Sequence, residues 1–306
     1  MSDVAKSSGA TSPTIGVFDS GFGGLTVLRA LMAQLPRARY AFIGDTARLP
    51  YGSKSRRTIA RYAVQCAQFL VSEQGAEFLV IACNTASALA LDAIQDAVQV
   101  PVLGVIEPGA EAARAASHTG DVLVIATDAT VQSHAYAAAC RARGLRALEM
   151  ACPLLVPLVE EGWTGLMAGD DTAAFAAQAA SAPPQVAVTA EVIRIYLAEL
   201  NAEAAAQRLK PDTLLLGCTH YPLLRYLLEG AVPVGMKIID SADATAAAAV
   251  QLVGMEKRPP SAKDSAAKNQ NQVRCFATDS VEKFERLGSR FLGRPTGKVE
   301  LVDLGG

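Results

Sequence analysis

The stretch Phe78-Leu79-Val80-Ile81-Ala82-Cys83-Asn84-Thr85-Ala86-Ser87 runs from four apolar residues through a small one to a cysteine, then to small polar groups. The apolar run reads as a buried strand, and a pattern of helical period follows it from Ala86 to Ala97. The same scheme returns in Leu214-Leu215-Leu216-Gly217-Cys218-Thr219-His220-Tyr221-Pro222. Outward from these copies, apolar runs read as strands at Thr14–Phe18, Tyr40–Ile43, Val102–Val105, Val122–Ala126, Lys237–Ile239 and Val273–Ala277. Helical periods lie between them, as in Leu25–Leu35 and Ser55–Gln74. Strands alternating with helices predict an α/β fold of βαβ units, each sheet mainly parallel and flanked by helices. The repeated scheme predicts two similar lobes, each offering one cysteine.

In parallel sheets of this kind, ligands bind beyond the carboxyl ends of the strands. Those ends carry Asp19-Ser20-Gly21, Gly44-Asp45-Thr46, Cys83-Asn84-Thr85, Thr127-Asp128-Ala129-Thr130 and Gly217-Cys218-Thr219-His220. Small polar and ionisable groups at five strand ends suit a site assembled from several loops.

The length of 306 residues fits two domains or one large one, and a composition 51% apolar and 19% charged fits a soluble globular protein with a sizeable core. A net charge of −2 argues against nucleic acid or an anionic membrane as an obligate partner. No signal peptide is visible, the first dozen residues are polar, and no apolar run approaches a membrane span, so a cytoplasmic location is expected. In a reducing compartment the six cysteines should be thiols. Cys66, Cys140 and Cys152 lie among apolar residues and Cys275 in a strand, which suits small buried side chains. The alanine-rich Gly165–Ala190, broken at Pro183-Pro184, reads as an inserted loop with some helix. Glu256–Gln272 reads as a polar surface loop.

Cys83 stands where a helix dipole favours a thiolate, although a structural cysteine fits the same position. His220, one of three histidines, lies two residues from Cys218 and suits an acid/base assistant or an ion-pair partner. Zinc is the weaker reading, because C-x-H is not a usual spacing and no C-x-x-C occurs. The turn Gly21-Phe22-Gly23-Gly24 with Asp45 downstream partly matches a dinucleotide fingerprint. Thr26 replaces its third glycine, however, and the Asp19 carboxylate would oppose a pyrophosphate. Asp45 and Glu160 are ordinary solvated or capping acids unless a pocket gathers them. At this level a nucleotide-dependent oxidoreductase and a non-catalytic binder of acidic amino acids remain alternatives to a cysteine-based enzyme.

Four longer motifs narrow the choice. Ile15–Leu25 (IGVFDSGFGGL), Gly44–Gly52 (GDTARLPYG), Ala82–Ser87 (ACNTAS) and Leu216–Leu223 (LGCTHYPL) resemble those of glutamate racemases, in the same order. Cys152-Pro153 with Val156–Glu160 is similar to a further block of that family. The resemblance runs from about Thr14 to Val302. It implies two α/β lobes with the active site in the cleft between them. Lobe A would comprise residues 1–106 and 241–306, and lobe B residues 107–240. It also implies cofactor-independent interconversion of L- and D-glutamate for peptidoglycan, with no metal, and a homodimer. Cys83 and Cys218 would be the two bases, one resting as thiolate and one as thiol, assisted by Asp19 and His220. Ser20, Tyr51, Gly52, Asn84, Thr85, Thr130 and Thr219 would hold the substrate, with Asp45 and Glu160 as auxiliary acids. Aspartate or a related amino acid is the nearest competing substrate. Where the family has Gly-Thr-x-Gly-Thr, this chain reads Ala126-Thr127-Asp128-Ala129-Thr130. Both glycines are alanines, and both threonines are kept.

Overall fold

Five parallel strand pairings make one sheet and three make another. The computed structural model describes residues 13–164, 183–253 and 273–305. The strands are β1 (Thr14–Asp19), β2 (Arg39–Gly44), β3 (Phe78–Ile81), β4 (Val102–Gly104), β5 (Asp121–Ala126), β6 (Arg146–Ala151), β7 (Thr213–Gly217), β8 (Lys237–Asp240), β9 (Val273–Ala277) and β10 (Val299–Leu301). The first sheet has the order β10-β9-β2-β1-β3-β4 and the second β6-β5-β7-β8. All eight pairings are parallel. The inner strands β1, β3, β5 and β7 are buried along their whole length. They can therefore be apolar without alternation, as sheets covered on both faces require.

Register sets the site. Asp19 pairs with Gly44 and Phe18 with Ile81, so β1, β2 and β3 end level. In the second sheet Ala126 pairs with both Ala151 and Gly217. Ser20, Asp45 and Cys83 thus leave one sheet edge, and Thr127, Cys152 and Cys218 leave the other.

Helices cover the sheets. Arg56–Ser72 begins at Ser55, whose hydroxyl caps the Thr58 N–H. The helical pattern at Ala86–Ala97 is two helices, Asn84–Leu89 and Leu91–Ala97, broken at Ala90. Pro183 precedes the helix Pro184–Ala206, which begins on a proline that needs no N–H partner in the first turn. The expected loop at Gly165–Ala190 thus ends inside a helix, while 165–182 lies outside the described residues, as does the whole of Glu256–Gln272. The helix Ser241–Val253 packs on Leu25–Gln34 and on Ile106–Ala116, joining the coverings of both sheets. One apolar core runs from Val17 and Val80 in the first sheet to Ile125 and Leu216 in the second. Among the described residues, no helix is long and apolar enough to cross a membrane.

Candidate active site

The carboxyl edges of the two sheets face a common cavity of about 360 Å³. Ser20, Tyr51, Gly52, Cys83, Asn84 and Thr85 line it from the first sheet, and Thr127, Asp128, Glu160, Cys218, Thr219 and His220 from the second. Leu49, Pro50, Pro153, Val156 and Pro157 supply apolar walls.

Cys83 ends the loop after β3 and caps the next helix. Its sulfur accepts from the Ala86 N–H at 3.4 Å and lies 3.4 Å from the Ser20 hydroxyl. The helix dipole was expected to favour the thiolate, but burial wins. It drives the thiol up to about 12, the Asp19 carboxylate adds to the rise, and the Ser20 and Ala86 contacts only moderate it. Cys83 is therefore a thiol at neutral pH. Asp19 is fully buried behind Ser20 and does not line the cavity. One carboxylate oxygen accepts from the Gly21 N–H at 2.9 Å, and the other has no partner among the described residues. Burial raises its pKa, while His220 and backbone N–H groups pull the other way.

On the far side Cys218 follows β7, with His220 Nδ1 3.9 Å from its sulfur. The other ring nitrogen faces Glu160 Oε1 at 3.3 Å. Burial alone would favour the neutral ring, but the contacts with Cys218 and Glu160 outweigh it and hold His220 at about 10. The ring is an imidazolium at neutral pH, a proton source beside the second sulfur. Burial would raise Glu160, but His220 and then Lys283 overcome it and leave its pKa below the ordinary value. Lys283 Nζ lies 3.1 Å from Glu160 Oε2.

The remaining expected residues divide. Thr85, Thr127 and Thr130 hydroxyls lie within 2.9–3.1 Å of one another. Thr85 and Thr127 line the cavity, whereas Thr130 is fully buried behind them. Ala126 closes β5 and Ala129 lies in the helix Asp128–Ser133, so the two alanines occupy ordinary backbone. Asp45 is fully buried and outside the cavity lining. It accepts from Tyr51 at 2.5 Å, from Arg48 at 2.8 Å and from Thr278 at 2.9 Å. It anchors Tyr51 and, buried outside the cavity lining, is not presented to a ribose, which removes the support for a dinucleotide turn. Among the described residues, no group of three or more His, Cys, Asp or Glu is placed to hold a metal. Sequence reading missed Lys283 and Tyr136. The first comes from the helix Val281–Leu292; the second donates from its hydroxyl to Asn84 Oδ1 at 2.6 Å. Neither stands beside a cysteine motif.

With that geometry in hand, comparison with known proteins is specific. Residues 15–249 match the family model for Asp/Glu/hydantoin racemases. The glutamate racemase of Koribacter versatilis is 49% identical, the match covering 96% of this chain and 98% of that protein. The crystal structure of a glutamate racemase isoform from Bacillus anthracis superposes with a TM-score of 0.77 at 34% identity, covering 96% of this chain and 98% of that one. A Francisella tularensis glutamate racemase, solved in complex with D-glutamate, superposes with a TM-score of 0.76 at 32% identity and the same coverages, 96% and 98%.

Proposed function

Because this chain belongs to the Asp/Glu/hydantoin racemase family, we propose that it interconverts L- and D-glutamate without a cofactor, Cys83 and Cys218 acting as the two bases. The observation that carries the proposal is that one cavity is lined by both cysteines, each delivered by a different sheet. Racemisation takes the α-proton from one face of the carbon and returns a proton to the other. A base on each face does this without turning the substrate over.

In the L-to-D direction the Cys218 thiolate takes the α-proton while the Cys83 thiol gives its proton to the opposite face. Cys218 then carries a proton and Cys83 a negative charge, the state from which D-glutamate is turned back. The protonated resting state of Cys83 suits it to donate first. The Asp19 charge makes the Cys83 thiolate more basic, and the His220 imidazolium can give a proton at Cys218, the neutral ring so formed taking it back. Ser20, Tyr51, Gly52, Asn84, Thr85 and Thr219, which all line the cavity, would hold the substrate, with Thr130 acting through Thr85. Glu160 supports His220, and Asp45 supports Tyr51. In this reading the six-stranded sheet belongs to lobe A, 1–106 with 241–306, and the four-stranded sheet to lobe B, 107–240. The enzyme would work in the cytoplasm as a homodimer and supply D-glutamate for peptidoglycan.

The test is incubation with L-glutamate in deuterated water without added cofactor, following D-glutamate and α-deuterium, with L-aspartate in parallel. Wild type should produce both signals from glutamate, and Cys83→Ala and Cys218→Ala should each abolish racemisation. Absence of α-exchange in wild type, or normal racemisation by either variant, would refute the reading.

A further inference from the structure

Glu160 is held from two sides. Its Oε1 faces His220 on the strand-end loop after β7, and its Oε2 faces Lys283 on the helix Val281–Leu292. That helix leads from β9 to β10 and so belongs to the opposite sheet. Lys283 is fixed in turn: its ammonium stands 5.5 Å from the centre of the Phe22 ring, in the glycine-rich turn that follows Asp19. The same helix presents Phe291 edge-on to the His220 ring, with centroids 5.2 Å apart at 74°. A line of contacts therefore runs from Lys283 through Glu160 and His220 to the Cys218 sulfur. Lys283 does not line the cavity.

We propose that Lys283 is a positioning residue for the racemisation: by holding Glu160 across the cleft, it keeps the His220 ring set against Cys218. The proposal rests on the function argued above. A carboxylate with one oxygen on an imidazole and the other free can rotate about its last bond and carry the ring with it. A second partner at the far oxygen removes that freedom. Stability is not the main effect, since the Lys283 side chain is 40% exposed and an ion pair so placed adds little. The ammonium also favours the Glu160 anion. Among the described residues, the charged groups facing Glu160 are His220 and Lys283, with Arg290 of the Lys283 helix close to Gly162, two residues on. Without Lys283, Glu160 takes up its proton at higher pH and releases His220 sooner on acidification.

The experiment is the pH profile of kcat/KM, in both directions, for wild type, Lys283→Met, Lys283→Arg, Glu160→Gln and Glu160→Gln/Lys283→Met, with Tm for each. Lys283→Met should lose about tenfold in kcat/KM near neutral pH, as expected when one of two coupled contacts goes. Its acid limb should move to higher pH and its Tm should stay put. Lys283→Arg should restore both rate and limb. In the Glu160→Gln background the lysine change should add no further loss. A Lys283→Met profile superposable on that of wild type overturns the proposal. So does a loss that is uniform in pH, unrescued by arginine and fully additive with Glu160→Gln. Wild type that racemises beside an unaffected Lys283→Met refutes this proposal alone; wild type without α-exchange refutes the functional reading with it.

Discussion

The Tyr136 hydroxyl, from the helix Ala135–Arg141, donates to Asn84 Oδ1 at 2.6 Å across the boundary between the two sheets. With its carbonyl engaged, the Asn84 amide has one orientation. Its buried Nδ2 has no partner among the described residues, although the residue lines the cavity. A donor held this way is ready for a substrate carboxylate. Tyr136→Phe should raise KM for glutamate about 3- to 10-fold, from a hydrogen bond worth about 1 kcal/mol, and leave kcat within about twofold. Tm should fall by about 2–4 °C per kcal/mol lost. Steady-state kinetics and calorimetry check this, and an unchanged KM would remove the role assigned to the bond.

Cys83 should resist alkylation at neutral pH, because burial and the Asp19 charge hold it as a thiol with a pKa of about 12. Its rate with iodoacetamide, followed by peptide mass spectrometry, should still be rising above pH 10. Asp19→Asn removes the second cause of the rise, so the curve should move to lower pH. A curve that is flat above pH 8 in wild type would contradict the assignment of Cys83 as the resting proton donor.

His220 ties stability to pH. Its folded pKa of about 10 lies above the ordinary 6.5. The folded protein therefore holds a proton that the unfolded chain releases. The stabilisation is fully present below about 6.5 and is lost as pH rises through about 10. Buried thiols such as Cys83 add a loss of the same sign only above their ordinary 9.0. Chemical denaturation between pH 6.5 and 9 should thus show declining stability in wild type and a flatter curve in His220→Gln. Equal slopes would mean that the imidazolium is not what the fold retains.

Where apolar runs are long and buried, as in β1, β3, β5 and β7, the sequence shows strands plainly. Two strands escape it. In β6 (RALEMA) most residues are half-exposed and a glutamate interrupts the apolar pattern; β10 is three residues long and ends exposed. Both lie at sheet edges, where one-sided burial removes the signal. In the site, Cys83, Cys218 and His220 were legible because strand-end position and chemistry coincide. Glu160 could be given a role only by resemblance, since its partners His220 and Lys283 are distant in sequence. Lys283 and Tyr136 were illegible, being single polar groups on ordinary amphipathic helices. The part played by Asp45 could not be read, because a carboxylate at a strand end looks alike whether it meets ligand or, as here, a tyrosine hydroxyl.

Gly23 separates close packing at the site from general tolerance of alanine. A Cβ built there would stand 2.2 Å from Thr219 Oγ1 and 2.7 Å from His220 Nδ1. Neither neighbour can yield without moving the cavity wall, since Thr219 and His220 both line it and His220 is tied to Glu160. Gly230, in the helix Arg225–Ala231, has nothing within 4 Å of the same construction. Gly230→Ala should therefore leave racemisation unchanged and stabilise by up to about 1 kcal/mol through helix propensity. Gly23→Ala must displace His220 or the turn after Asp19, and misplacing a reacting group by about 1 Å costs about a hundredfold in rate. The loss should fall on kcat as well as KM, because the displaced ring serves Cys218 and not only binding. Kinetics and thermal melts of the two variants side by side decide the point. If Gly23→Ala keeps wild-type kcat, the contact between the first-sheet turn and His220 is not required for the reaction.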